Sequence, residues 1–309
     1  IGRRPMLMDF ITQNSIDPKV IISKFNNYYL FLKKYNYIGE IFRKDAVKNL
    51  TFLSKELLPG LKKSDYEVLE NMIKGNDYSL KSEDDMKTSL NILSLNYFGK
   101  NEKERYGSPI VDPNTKRLSK TFSEYLKDED YRSFVFDILN LAKYYNEKIQ
   151  NSGNDLILYN QYTRLDFLKL VNWRNDKKNM ANNIYGYRVL DGYIPLFITY
   201  HKSEDIDDSI KYEDHFLNQE ELAWVSRKNV SLKNKEINQI INHKEDGKTI
   251  YIFVKKNDSE GSQHYYLGEA EYMKGSANET TNVTEDKIVT MNFIMKTPIR
   301  DDIYRYLVN

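Results

Sequence analysis

The spacing of apolar residues changes partway along this 309-residue chain, and that change limits the folds open to it. Over residues 1–153 the apolar positions recur at three-and-four spacing, the signature of amphipathic helices. Behind the cap-and-proline pair Asp17-Pro18, the residues Val20, Ile21, Phe25, Tyr28, Tyr29 and Leu32 predict one helix. Ile41, Phe42, Ala46, Leu50, Leu53 and Leu57 predict a second, ended by Pro59-Gly60. Ser64-Asp65 opens a third, with Tyr66, Val68, Leu69, Met72 and Ile73 as its stripe and Gly75-Asn76-Asp77 as its stop. Helical spacing continues through Met86, Leu90, Leu93 and Leu95, then from Phe122 to Ile149.

The polar stretch Asn151-Ser152-Gly153-Asn154 marks the boundary, so the expected domains are 1–153, an all-α bundle, and 154–309, a β-rich domain. One more helix is predicted over Leu156–Trp173. Beyond it, Tyr187–Leu190 and Tyr193–Tyr200 read as two strands around an Asp191-Gly192 turn. Thr249–Val254 and His264–Met273 are further strands, and Val289, Met291, Phe293 and Met295 alternate with polar neighbours as a half-buried strand does. Helices followed by strands, without βαβ alternation, predict an α+β chain and exclude a doubly wound nucleotide-binding fold.

Composition narrows the chemistry. There is no cysteine, which removes disulfides, thiolate zinc sites and cysteine nucleophiles. Lys and Arg number 46 against 45 Asp and Glu, so no global basic field advertises nucleic-acid binding and any such contact must be local. No apolar run reaches the ~18 residues of a membrane span, and Ile1-Gly2-Arg3-Arg4-Pro5 lacks the form of a signal peptide, so a cytoplasmic protein without a membrane partner is expected. The abrupt opening without a methionine suggests a piece of a longer protein. Neither phosphate-cradling glycine motif occurs, so no nucleotide cofactor is expected. His201, His215, His243 and His264 lack the spacing of a helical zinc motif. Asp205, Asp207 and Asp208 begin like a calcium loop that lacks its glycine and closing glutamate, and Glu269, Glu271 and Lys274 read as alternating charges on an exposed strand; no metal or catalytic residue is expected.

The 25 tyrosines, beside 14 Phe and 2 Trp, provide amphipathic aromatic surface for packing or for stacking on a ligand. One stretch concentrates them with charge: Tyr200-His201-Lys202 through Tyr212-Glu213-Asp214 to Trp224-Val225-Ser226-Arg227-Lys228, between a predicted strand and a predicted helix. A flipped nucleobase needs such a set: aromatic faces, a carboxylate to accept from an exocyclic amine, and cations for the flanking phosphates. Tyr200, Tyr212 and Trp224 are the stacking candidates, Glu213 or Asp214 the acceptor, and Ser226 a second polar contact. His201, Lys202, Arg227, Lys228, Lys255 and Lys256 are the phosphate candidates. The competing account makes Phe216 and Trp224 ordinary core and the cations solvated surface.

Several blocks carry a family resemblance: Tyr162-Thr163-Arg164-Leu165-Asp166, Trp173, Pro195–Lys202, Lys211–Asp214, Phe253–Lys256, Tyr265–Gly268 and Met295–Pro298, with Arg4-Pro5, Asp9-Phe10 and Ile16-Asp17-Pro18 in the helical half. They resemble the C-terminal portion of type IV, modification-dependent restriction enzymes of the SauUSI type. The resemblance implies a helical connector followed by a barrel of the SRA (SET-and-RING-associated) or PUA-like kind, which everts 5-methylcytosine or 5-hydroxymethylcytosine from duplex DNA into an aromatic pocket. It also implies helicase and nuclease domains in the same full-length chain as partners, in bacterial defence, with this portion binding rather than cutting. Two alternatives stay open: a protein-interaction or oligomerisation module, since interfaces also enrich tyrosine, and a reader of modified bases in single-stranded RNA.

Overall fold

A computed structural model describes residues 4–150, 156–173, 184–201, 214–282 and 284–309. The chain separates into two compact units, Ile1–Asp155 with Lys169–Asn179, and Leu156–Leu168 with Met180–Asn309. The described residues of the first are helical: α1 (Leu7–Asn14), α2 (Lys19–Phe25), α3 (Tyr28–Lys34), α4 (Lys44–Glu56), α5 (Lys63–Lys74), α6 (Glu83–Leu93), α7 (Lys100–Tyr106), α8 (Lys120–Tyr125) and α9 (Glu129–Gln150).

The single helix expected after Pro18 is two. Asn26 adopts a left-handed φ of 68° and closes α2. Asn27 then caps α3 by accepting from the Leu30 N–H. Its amide, fully buried, donates to the Thr51 hydroxyl at 2.7 Å and to the Val47 carbonyl at 3.3 Å, so the break also ties α3 to α4. The helix expected from Phe122 to Ile149 is likewise interrupted, and Asp128 restarts it by accepting from the Tyr131 N–H. Pro59-Gly60 does end α4, with a packing reason: a Cβ on Gly60 would lie 2.3 Å from the Ala142 carbonyl oxygen of α9. Leu50, Phe52, Leu53, Val68, Leu69, Ile92, Leu93, Val135 and Leu141 form the interior.

The second half contains α10 (Arg164–Leu170), α11 (Lys235–Ile241) and α12 (Asp301–Val308) around eight strands: β1 (Gln161–Tyr162), β2 (Tyr193–His201), β3 (His215–Phe216), β4 (Glu221–Val225), β5 (Thr249–Asn257), β6 (His264–Tyr272), β7 (Asn278–Thr281) and β8 (Lys287–Met295). The expected α+β class holds. The helix predicted over Leu156–Trp173 shortens to α10, because Gln161 and Tyr162 pair with Tyr265 and His264. The Asp191-Gly192 turn does reverse the chain: Gly192 has φ 77°, the Leu190 N–H donates to the Tyr193 carbonyl at 2.8 Å, and Tyr187 bridges Leu196.

Strand order is β2-β5-β6-β8-β4-β3, with β1 on β6 and β7 on β8; the β2–β5 pair is parallel and the others antiparallel. Period-two alternation sends Ile194, Leu196, Ile198, Ile250, Ile252, Val254, Leu222, Trp224, Val289, Met291, Phe293 and Met295 to one core. Between β5 and β6 the register shifts: Ile252 faces Gly268 while Phe253 faces Tyr266, leaving Leu267 as an extra residue on β6. Leu267 turns into the core and Gly268 takes φ 113°, the local distortion of a bulge that bends a sheet. On the opposite face, Phe167 of α10 packs on Tyr193, Phe197, Tyr251 and Phe253, and the last stacks on Phe197 at 4.5 Å and 8°.

Candidate nucleic-acid interface

The strand path begins at β2 and ends at β3, and aromatic side chains join those two ends. Tyr200 of β2 stacks on Phe216 of β3, ring centroids 5.7 Å apart and planes 13° from parallel, and its hydroxyl accepts from the Phe216 N–H at 3.4 Å. Burial raises the Tyr200 pKa, which keeps the phenol neutral and its hydroxyl a donor. One step along, Tyr187, beside β2, meets Trp224 of β4 edge-on at 5.0 Å. The Arg227 guanidinium lies over the same Tyr187 ring, 4.1 Å from its centroid, and pairs with Glu236 of α11. Arg188 approaches Glu236 at 4.0 Å. The curled sheet is thus closed along a seam of aromatic rings edged by two guanidiniums.

The residues expected at the site fall into three groups. Tyr200, half-buried on the seam, and His201, exposed beside it with its ring 4.9 Å from that of Tyr200, lie together. Asp214 joins them through β3 and β4, but it is buried, 6% exposed, and its carboxylate accepts from the Val225 N–H at 2.9 Å. Arg227 is on the seam, and Lys228 beside it is exposed and paired with Asp286 at 2.9 Å. Lys202, Tyr212 and Glu213 lie outside the described residues.

The third group has other work. Trp224 is 3% exposed and set between Tyr187 and Phe293, so it is core rather than an open stacking face. It lies on a strand, and alternation turns it inward. Ser226 continues the β4–β8 ladder through its side chain: its hydroxyl accepts from the Val289 N–H at 2.9 Å and donates to the Arg227 carbonyl at 3.0 Å. Lys255 is 8% exposed, donates to the Gly261 carbonyl and pairs with Asp258, both at 2.9 Å, and so braces the turn after β5. Lys256 lies over the Tyr306 ring at 5.2 Å. Sequence reasoning passed over Tyr187, Arg188 and Glu236; the Asp-Gly turn signalled the segment, but nothing local signals that it crosses to β4 and α11. An open hollow of about 580 Å³ lies elsewhere, in the helical unit, where Lys48, Lys100 and Lys103 face Asp45 and Glu104.

Residues 156–307 match a family model described as a domain of unknown function (DUF3427), and residues 1–151 match another, also a domain of unknown function (DUF8090). No curated protein matches. Among solved structures, the SRA domain of SUVH5 in complex with hemimethylated CG DNA is similar with a TM-score of 0.32 and 10% identity, over 47% of this chain and 92% of that one. The same domain bound to fully hydroxymethylated CG DNA gives 0.30 and 11%, over 47% and 92%. The DNA modification-dependent restriction endonuclease AspBHI gives 0.29 and 10%, over 48% and 78%.

Proposed function

We propose that the strand unit reads 5-methylcytosine or 5-hydroxymethylcytosine in duplex DNA by taking the base out of the helix, and that it targets an ATP-dependent helicase-nuclease of the type IV restriction kind to modified DNA. One observation carries the reading. Tyr200, Asp214 and Arg227, dispersed over 28 positions of sequence, gather on the seam that closes the sheet, on either side of the 202–213 segment that also bears Lys202, Tyr212 and Glu213. An everted cytosine needs that combination: a ring to stack on, an acceptor for its N4 amine, and cations for the phosphates beside the gap. The blocks resembling the SauUSI type include both flanks of this segment. Tyr200 and Tyr212 supply the stacking faces, Asp214 or Glu213 the acceptor, and His201, Lys202, Arg227 and Lys228 the phosphate contacts. Trp224 and Ser226 shape the pocket from behind. A buried methyl is worth only about 1–3 kcal/mol, so the niche discriminates by shape and the preference is modest, on the order of ten- to a hundredfold. In this reading the chain itself binds and does not cut.

The test is a titration with fully modified, unmodified and single-stranded oligonucleotides of one sequence, at stated salt. Tighter binding of the modified duplex, lost in Tyr200→Ala and in Tyr212→Ala with the fold intact, is the expected result. Equal affinity for modified and plain duplex sinks the proposal, and preference for the modified single strand turns it toward an RNA-type reader.

A further inference from the structure

The outer face of the sheet holds a second group of cations, apart from the seam. Arg164 is the first residue of α10; its Nε is buried without a hydrogen-bond partner, and no carboxylate pairs with it among the described residues. Burial lowers its pKa, the mark of a guanidinium losing hydration. Its terminal carbon is 5.9 Å from the centre of the Phe197 ring, and the same ring takes the edge of His264 at 5.1 Å. His264 is 1% exposed. Its Nδ1 lies 3.1 Å from the Ser262 carbonyl and therefore carries the hydrogen, which leaves Nε2 a lone-pair acceptor, buried and unpartnered. Burial, then the charges of Arg164 and Lys255, hold the His264 pKa down to about 4, against the hydrogen bond to the Ser262 carbonyl and then the charge of Asp258. Asp258 is itself on the surface, paired to Lys255.

We propose that Arg164 and His264, which meet over the Phe197 ring, form a binding site for a phosphate group on the α10 side of the sheet. A partly desolvated guanidinium with no counter-ion is costly to keep, and a buried histidine nitrogen with no partner adds to that cost. A phosphate removes both costs at once. Its oxygens accept from Arg164, and His264 takes one proton from solvent at Nε2 and becomes a donor instead of a repelling lone pair. Binding is therefore linked to uptake of that proton. Affinity rises as pH falls, by up to about tenfold per pH unit between the free and bound pKa of His264. The site is independent of the modified-base reading, because a phosphate carries no information about methylation.

The experiment is NMR of the ¹⁵N-labelled histidine rings of the 309-residue chain, titrated with sodium phosphate at fixed ionic strength and two pH values, 5.5 and 7.5 (roughly one on each side of the ordinary histidine pKa). Phosphate should move the His264 signals from the Nδ1–H tautomer toward imidazolium, saturably, and more tightly at the lower pH. His264→Gln should keep binding and lose the pH dependence, whereas Arg164→Gln should abolish binding. Arg164→Lys, which keeps the charge without the planar fork, should weaken it. A short unmodified duplex distinguishes the source. If it displaces phosphate, and Arg164→Gln weakens modified and plain duplexes alike, the ligand is the nucleic-acid backbone. If phosphate binds and the duplex leaves His264 unmoved, the ligand is a free phosphate or a small phosphorylated molecule. His264 signals unmoved by phosphate through the millimolar range, or binding undiminished in Arg164→Gln, overturn the proposal.

Discussion

At the scale of single residues, identical chemistry serves different ends depending on which way a side chain turns. Tyr200 and Trp224 are both aromatic and both on strands, yet Tyr200 keeps part of its ring at the surface while Trp224 is shut into the core. Loss of DNA binding in Trp224→Ala would therefore report unfolding as readily as recognition. Trp224→Ala should cost about 3–5 kcal/mol, since it leaves a large cavity under Tyr187 and beside Phe293. Urea denaturation measures this, and a loss below about 1 kcal/mol would contradict the packing described. Lys255 teaches the same caution: two lysines leaving a strand look like a phosphate grip, but one of them is spent on bracing a turn.

Elements begin and end where side chains satisfy the backbone, and periodicity alone does not see those places. The break between α2 and α3 keeps the helical spacing on both sides, so the apolar pattern runs through it unchanged; the adjacent pair Asn26-Asn27 is the signal. Asn27 caps α3 and fills a buried polar position against Thr51 and Val47. Asn27→Ala removes the cap and leaves those groups unpaired, with an expected loss of about 2–4 kcal/mol by chemical denaturation. Asn27→Asp restores the cap acceptor but not the amide donor, and should fall between the two. Retention of full stability in Asn27→Ala would mean that the break is set by something other than this side chain. The short strands β3 and β4 escaped sequence reasoning for a related cause: two and five residues are too few to display a period, and the closing contact of Tyr200 with Phe216 is not local.

Across the whole molecule, the most deeply buried titratable groups of the two units respond to acid in opposite directions. In the strand unit, His264 is held at about 4, below its ordinary 6.5. The unfolded chain binds that proton before the folded one does, so stability falls as pH drops from 6.5 to about 4, by ~3 kcal/mol in total. In the helical unit, burial raises the pKa of Asp65 and of Asp137, the latter against the pull of Arg4. There the folded chain holds protons that the unfolded chain has released, so stability rises as pH falls from those raised values toward 3.8. Each unit contains one of the two tryptophans, Trp173 or Trp224. Fluorescence melts of Trp173→Phe and Trp224→Phe chains should show the strand unit losing stability first on acidification, and His264→Gln should flatten its slope. Equal slopes for both probes would refute the assignment.

The order of helices before strands, the α+β class and most of the long elements follow from the sequence by itself, because each rests on the period at which apolar residues recur and on Gly, Pro and Asn at the stops. The residue types needed to recognise a base were also legible, as a cluster from Tyr200 to Lys228. What that cluster becomes was decided only by tertiary structure. The bulge at Leu267 and the meeting of β2 with β3 curl the sheet, and curling determines which aromatics turn inward and which stay on the seam. Arg164 and His264 are a hundred positions apart and meet at the Phe197 ring only because α10 is laid across β2 and β5. Local spacing encodes which face of an element is apolar; it holds no information about which distant element that face will meet.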